Sequence, residues 1–253
     1  MSDLKPFRIL FIFPHPDDES FLTGGTIATY ARRADTRVYL YTLTQGEASR
    51  NAAKLGISGE EIARRRVEEV REASRILGVA QLMQGAFPDG ALRDLDPRVL
   101  ERDFDDVLER IDPDVVVTYD VQGSSVHPDH IVTHHALKRV YLERKERLGR
   151  PFRLAFCGLP ADAIAHWTRK VYGFPSSRIH ASIDVSAELE TERAAIRAHE
   201  SVRSDVEEYN YDDWMLWEHE HYSFFGEFFQ PPVSDLLHGL RPVTPQMGLQ
   251  EGG

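Results

Sequence analysis

Arg8-Ile9-Leu10-Phe11-Ile12-Phe13-Pro14-His15-Pro16-Asp17-Asp18-Glu19 joins an unbroken apolar run to a cluster of metal-ligating and proton-accepting side chains. The apolar run reads as a buried strand, and the cluster falls at its carboxyl end. A second run, Asp114-Val115-Val116-Val117-Thr118-Tyr119, is followed by His127-Pro128-Asp129-His130. In an open parallel sheet, ligands bind in the crevice outside the carboxyl ends of the strands. Both clusters are therefore expected to meet there.

Outward from these two segments, helical and strand-like periods alternate. A helix is expected near 20–33, passing through Gly24-Gly25, and a strand over 37–43. A long helix over 60–77 carries Ile62, Val67, Val70, Ala73, Ile76 and Leu77 at three-and-four spacing, with Gly78 placed to end it. A short strand near 80–84 precedes a helix opened by Pro97, the strand at 114–119, and a helix from Pro128 to about 148. Weaker patterns put strands over 152–159, 178–185 and 222–229 and a helix over 187–199. This order predicts a single α/β domain: three layers, a mostly parallel sheet, helices on both faces. The domain is assigned to 1–230, and the Pro-, Gly- and Gln-rich 231–253 to a C-terminal tail on the surface or partly disordered. Gly24-Gly25-Thr26 lacks the G-x-G-x-x-G spacing and is not read as a nucleotide site.

Across 253 residues, 41 acidic and 30 basic side chains leave a formal charge of −11. That sign argues against a broad basic surface for nucleic acid, although local arginines can still serve an anionic substrate in a cleft. The lone cysteine, Cys157, sits in an apolar stretch and reads as a small buried hydrophobe. No apolar run approaches membrane-span length, and the N-terminus has no signal-peptide pattern, so a cytoplasmic protein with no membrane partner is expected. The aromatic stretch 209–229, with Trp214, Trp217, Tyr222, Phe224 and Phe225, is assigned to core or interface packing, which leaves a homo-oligomer open.

Four polar clusters follow candidate parallel strands, at 15–19, 45–50, 88–90 and 120–130. Imidazole and carboxylate donors suit zinc and other first-row divalent ions, and a catalytic site keeps one position open for water. His15 and Asp18, three residues apart at a strand-to-helix turn, can reach one ion, and His130 can supply a third ligand. Asp17 is left beside the ion, as suits a general base. His127, one turn before His130, can donate a proton if a carboxylate raises its pKa. His134, four residues after His130, competes for the ligand role. Asp129 reads mainly as a helix-start residue, and Glu218-His219-Glu220-His221 as a solvated stretch; His199, next to Glu200, is at most a supporting residue and receives no role of its own. Arg66, beside the apolar stripe, is the arginine best placed to reach inward, ahead of Arg50, Arg64 and Arg65. Glu47 and Asp89 either contact substrate or stabilise their own turns.

On these residues the sequence resembles the LmbE/PIG-L family of zinc-dependent de-N-acetylases. The matching pieces are Pro14–Glu19, Thr44-Gln45-Gly46-Glu47-Ala48, the helix positions Arg66, Glu69, Ala73, Leu77 and Gly78, Pro88-Asp89-Gly90, Asp112–Val117 and His127-Pro128-Asp129-His130. A weaker piece runs from Ala194 to Ser201. The resemblance implies a Rossmann-like fold and hydrolysis of an acetamide, usually on an N-acetylglucosamine moiety, to an amine and acetate. It implies His15, Asp18 and His130 as ligands of zinc (ferrous iron being the alternative), which favours His130 over His134. It implies Asp17 as general base, His127 as acid or electrostatic partner, and Arg66, Glu47 and Asp89 as substrate contacts. The implied partner is a small N-acetylated sugar. One departure stands out. Many relatives carry glycine and an aromatic before the second motif, where this chain has Ser124-Ser125-Val126, so an aromatic oxyanion contact two residues before His127 is missing. Two other readings stay open: an amidase cleaving a larger acyl group, such as a thiol-conjugate amide, and a metal- and sugar-binding module without turnover.

Overall fold

The computed structural model describes residues 5–167, 171–203 and 216–240. In chain order the elements are β1 (Phe7–Phe13), α1 (Asp18–Leu22), α2 (Gly24–Ala31), β2 (Thr36–Thr44), α3 (Asn51–Leu55), α4 (Gly59–Leu77), β3 (Gln81–Phe87) and α5 (Pro97–Ile111). They continue with β4 (Val115–Tyr119), α6 (Gly123–Val126), α7 (Pro128–Leu148), β5 (Arg153–Gly158), β6 (Ala181–Asp184), α8 (Leu189–Ala198) and β7 (His219–Phe224). The described strands form one sheet in the order β3-β2-β1-β4-β5-β7-β6. From β3 to β5 all neighbours are parallel, while β7 runs antiparallel to both β5 and β6. The chain winds from β1 out to β3, then crosses back to β4 on the other side of β1. The point of reversal, between β1 and β4, is where a crevice opens in such sheets.

β1 shows why its sequence is apolar throughout. Ile9, Phe11 and Phe13 pack with Ile27, Val70 and Ala195 of α2, α4 and α8, while Leu10 and Ile12 join Leu100, Phe104 and Leu137 of α5 and α7. A strand covered on both faces has no polar side to show. Each of these large side chains contributes about 1.5–3 kcal/mol by its burial. α4 starts at Ser58, whose hydroxyl accepts the Glu61 N–H, and ends at Gly78 in the left-handed region at φ 78°. No helix among the described residues is long and apolar enough to cross a membrane.

The helix expected over 20–33 is two helices, broken at Thr23. Its hydroxyl donates to the Glu19 carbonyl at 2.8 Å. The following glycines serve close approach: a Cβ on Gly25 would lie 2.6 Å from Val185 Cβ, and one on Gly24 2.9 Å from Glu192 Cγ. The N–H groups of Gly25 and Thr26 donate to the Glu220 carboxylate at 2.9 and 3.0 Å. This helix start is thus occupied by a side chain of the protein itself. The finding also corrects part of the reading of 218–221 as solvated: Glu218 and His219 are exposed, but Glu220 lies on β7 and is buried. β7 ends before the turn at Gly226 (φ 72°), so the strand expected over 222–229 sits further upstream.

The described part of the segment read as a tail, 231–240, packs into the domain. Val233 bridges to Ala181, and Leu236 and Leu237 join the core on the α2 face. Two leucines at its end outweigh the polar composition of the rest. Tyr222 and Phe224 are core residues, whereas Trp214 lies outside the described residues. Cys157 is a free, buried thiol.

Candidate metal centre and active site

Beyond β1, Pro14 hands the chain to a tight loop in which Asp17 occupies the left-handed region, φ 103° and ψ −29°, uncommon for a non-glycine residue. That loop folds Asp18 back on His15, whose N–H donates to Asp18 Oδ2 at 2.9 Å. Beyond β4, α7 opens with Pro128, and His127 is its N-cap, with Nδ1 accepting the Asp129 N–H at 3.2 Å. His130 follows in the first turn, pointed at the β1 loop.

His15 Nδ1 and His130 Nε2 lie 3.1 Å apart, and Asp18 presents Oδ2 to the first and Oδ1 to the second, each at 3.3 Å. Ligands around a tetrahedral zinc with bonds of about 2.0–2.1 Å are themselves about 3.3 Å apart. The outward ring nitrogens say what the inward ones carry. His130 Nδ1 is 3.0 Å from the Gly123 carbonyl, and His15 Nε2 is 3.2 Å from Asp89 Oδ1 and 3.3 Å from Asp129 Oδ2. With protons held on those outer nitrogens, both imidazoles turn lone pairs toward Asp18. Three converging lone-pair donors suit a divalent cation. The charges agree. Burial opposes charge on His15, yet Asp129, Asp18 and Asp89 outweigh it and hold its pKa well above the usual value. Burial likewise opposes charge on Asp18, but His130 and His15 hold it well below the carboxylate range.

Two other groupings come close enough to share an ion: His15, His127 and His130, and His15, Asp89 and Asp129, with ligand atoms within 4.8 Å in each. The hydrogen bonds favour Asp18. His127 Nδ1 already accepts a backbone N–H, which leaves its proton on Nε2, and Asp89 and Asp129 face the protonated nitrogen of His15. Tyr119 supports the preferred set, its hydroxyl donating to Asp18 Oδ1 at 2.7 Å and its ring stacked on His130 at 4.1 Å.

Asp17 borders this set. Arg66 Nη2 donates to Asp17 Oδ2 at 2.8 Å, and the guanidinium also donates to the Pro16 carbonyl and, at 3.5 Å, to that of Gly46. Arg66 reaches inward as its place beside the apolar stripe implied, and its contacts go to Asp17 and to backbone. Burial pushes the Asp17 carboxyl up to about 6, although Arg66 pulls it down. Glu47 Oε1 accepts the Asp89 N–H at 2.8 Å and Asp89 Oδ2 accepts the Ala48 N–H at 2.9 Å. These bonds tie together the two loops that carry the pair. Arg64 and Arg65 face outward and pair with Glu61.

His127 departs from expectation: burial lowers its pKa, and His15 and His130 push the same way. That shift favours the neutral ring, an N–H donor, over the imidazolium. His134 turns away, with Nδ1 2.9 Å from the Tyr119 carbonyl and its ring against Phe156; burial drops its pKa to about 4. Asp129 is more than a helix-start residue. It is fully buried and accepts the N–H groups of Gly90 at 2.8 Å and Leu92 at 3.2 Å while facing His15. Sequence reasoning also passed over Tyr119 and Glu19, and gave His199 no role of its own. For Asp129 and Glu19 their place inside the two motifs was the available signal; Tyr119 had only its position at the end of β4.

A family model described as PIG-L: GlcNAc-PI de-N-acetylase matches residues 10–141, just over half of the chain and the whole span from β1 into α7. The chain belongs to the PIG-L family. A curated relative, the 1D-myo-inositol 2-acetamido-2-deoxy-alpha-D-glucopyranoside deacetylase of Mycobacterium sp. (strain JLS), is 33% identical over 236 residues, covering 79% of this chain and 75% of the relative. Among solved structures, N,N'-diacetylchitobiose deacetylase from Pyrococcus horikoshii superposes with a TM-score of 0.65 at 22% identity, over 88% of this chain and 84% of that one. The 4-carboxy-2-hydroxymuconate hydratase from Pseudomonas putida superposes almost as well, with a TM-score of 0.63 at 18% identity, over 87% and 97%. The PIG-L fold thus recurs around different chemistries, and the site has to carry the functional argument.

Proposed function

We propose that this protein is a metal-dependent N-deacetylase that converts the acetamide of an N-acetylglucosamine-containing small molecule to an amine and acetate. One observation carries the reading: His15 Nδ1, His130 Nε2 and the Asp18 carboxylate stand 3.1–3.3 Å from one another, with Asp17 next in the chain. The naming of the Mycobacterium relative as a deacetylase of such a glycoside supports the reaction and the sugar.

The donor set suits zinc, with ferrous iron as the alternative, held by His15, Asp18 and His130. Such an ion would supply Lewis acidity to the amide carbonyl and lower the pKa of a water molecule. Asp17 accepts the proton of the attacking water, its carboxyl pushed up by burial to about 6 and so a stronger base than an ordinary carboxylate. Arg66 keeps the Asp17 carboxyl in place. As the water oxygen bonds to the carbonyl carbon, His127 Nε2–H donates to the developing oxyanion, the role left vacant by Ser125. Asp17 then returns the proton to the departing nitrogen as the C–N bond breaks. Arg66, Glu47 and Asp89 border the sugar, Glu47 and Asp89 by fixing the two loops that carry them.

The deciding experiment measures acetate and primary amine released from a panel of N-acetylglucosaminides, the inositol glycoside among them, by zinc- or iron-loaded protein. Stoichiometric acetate and amine are expected. Faster release of a larger acid from bulkier N-acyl sugars would replace the reading with an amidase. Ligand binding without any amine would replace it with a binding module.

A further inference from the structure

The proposed mechanism leaves one buried pair unused. Glu19, last residue of the first motif, and His199, at the end of α8, are both fully buried, with Glu19 Oε1 2.7 Å from His199 Nε2. The same Glu19 oxygen accepts the Ser20 hydroxyl at 2.7 Å, and its other oxygen accepts the N–H of Asp17 at 3.1 Å. The far side of the pair is anchored as well. Ser201, two residues on, donates its N–H and hydroxyl to Glu69 of α4 at 2.8 and 2.6 Å. α8 is thereby tied to the helix that also supplies Arg66.

A buried ionic pair is a poor source of net stability, because desolvation consumes most of the attraction. What this pair does hold is a strained peptide. Asp17 sits at φ 103°, a conformation that costs about 1–3 kcal/mol for a non-glycine residue and persists only where its surroundings impose it. Arg66 grips the side chain and the preceding carbonyl, and Glu19 grips the N–H between them.

We propose that Glu19 and His199 are positioning residues for Asp17: His199 fixes the Glu19 carboxylate, which pins the Asp17 peptide so that its side chain is presented to the reacting water. This rests on the deacetylase reading for its kinetic consequence, though not for its structural one. It assigns a role to α8, which lies outside the span matched by the family model.

Three substitutions of His199 test it. The amide nitrogen of His199→Gln falls near the position of imidazole Nε2 and can still donate to Glu19, whereas that of His199→Asn falls near Nδ1 and cannot; His199→Ala removes the donor altogether. With metal content equal to wild type, kcat is expected to stay within a few-fold for Gln and to fall ~10–100-fold for Asn and Ala, with KM little changed. Equal kcat for Gln and Asn, loss of metal in Asn, or an effect on KM alone would overturn the pair's role. Should His199→Ala fail to fold, the Gln and Asn variants, both neutral, decide alone. A crystal structure of His199→Asn reads the point without turnover: Asp17 is expected to leave the left-handed region and Arg66 to lose its carboxylate contact, and an unmoved Asp17 counts against the proposal. Wild-type protein that releases no amine would instead count against the deacetylase reading.

Discussion

Two groups of carboxyls are buried in this molecule, and they are treated in opposite ways. At the β1/β4 crevice, Asp17, Asp18, Asp89 and Asp129 are each matched by an imidazole or a guanidinium. Where β7 meets α2 and α8, Glu192 and Glu220 lie near each other with no cation beside either among the described contacts. Burial pushes Glu192 up, and Glu220 adds to it; burial also pushes Glu220 up, against the amides of Gly25 and Thr26. Burial alone therefore does not mark a functional carboxyl. The partner set separates the candidate site, since Asp18, Asp89 and Asp129 are held below the carboxylate range and keep their demand for a positive ion, while Asp17, with Arg66 beside it, is still pushed up by burial.

The contrast breaks most readily at the proposed ligands. His15→Ala or Asp18→Ala should leave less than stoichiometric metal after dialysis and no measurable turnover, with metal counted by mass spectrometry. Full metal in both variants would move the ion elsewhere. Asp17→Asn should keep its metal and lose about 10²–10⁴ in kcat, as for removal of a general base. Tyr119→Phe should weaken metal binding by about tenfold, the lower end for a partner that supports a ligand, with metal competition by a chelator as the readout.

The smallest effect sharpens the other half. Glu192 has a native pKa raised above the ordinary carboxyl value of about 4.3. Its favourable contribution is whole below that value and drains away as pH climbs toward the native pKa, because the unfolded chain ionises first. Glu192→Gln is neutral at every pH, so its melting temperature should match wild type near pH 5 and exceed it at pH 8, by about 2–4 °C for each kcal/mol. A gap independent of pH would show that Glu192 is not buried as an acid.

The legible parts were those whose determinants lie close together in the chain. The β1 and β4 runs are apolar because both sheet faces are covered, and His15, Asp17 and Asp18 share one turn, so local pattern predicted them. Glu220 was read wrongly because its reason is the start of α2, far upstream, and a Glu between two histidines looks solvated until that helix is in place. Asp129 carried a sound local explanation as a helix-start residue, but its acceptor bonds run to Gly90 and Leu92. For His127 the carboxylates and His130 nearby were legible, whereas its burial and the approach of His15, which lower its pKa, were not.

Those bonds from Asp129 to the loop after β3, together with the exchange between Glu47 and Asp89, make three loops a single mechanical part. Anyone redesigning this scaffold for a different amide should transplant the 45–50 and 88–92 segments as one block with the second motif. A loop grafted singly would tilt the His15 ring and degrade the catalyst before its new specificity could be tested.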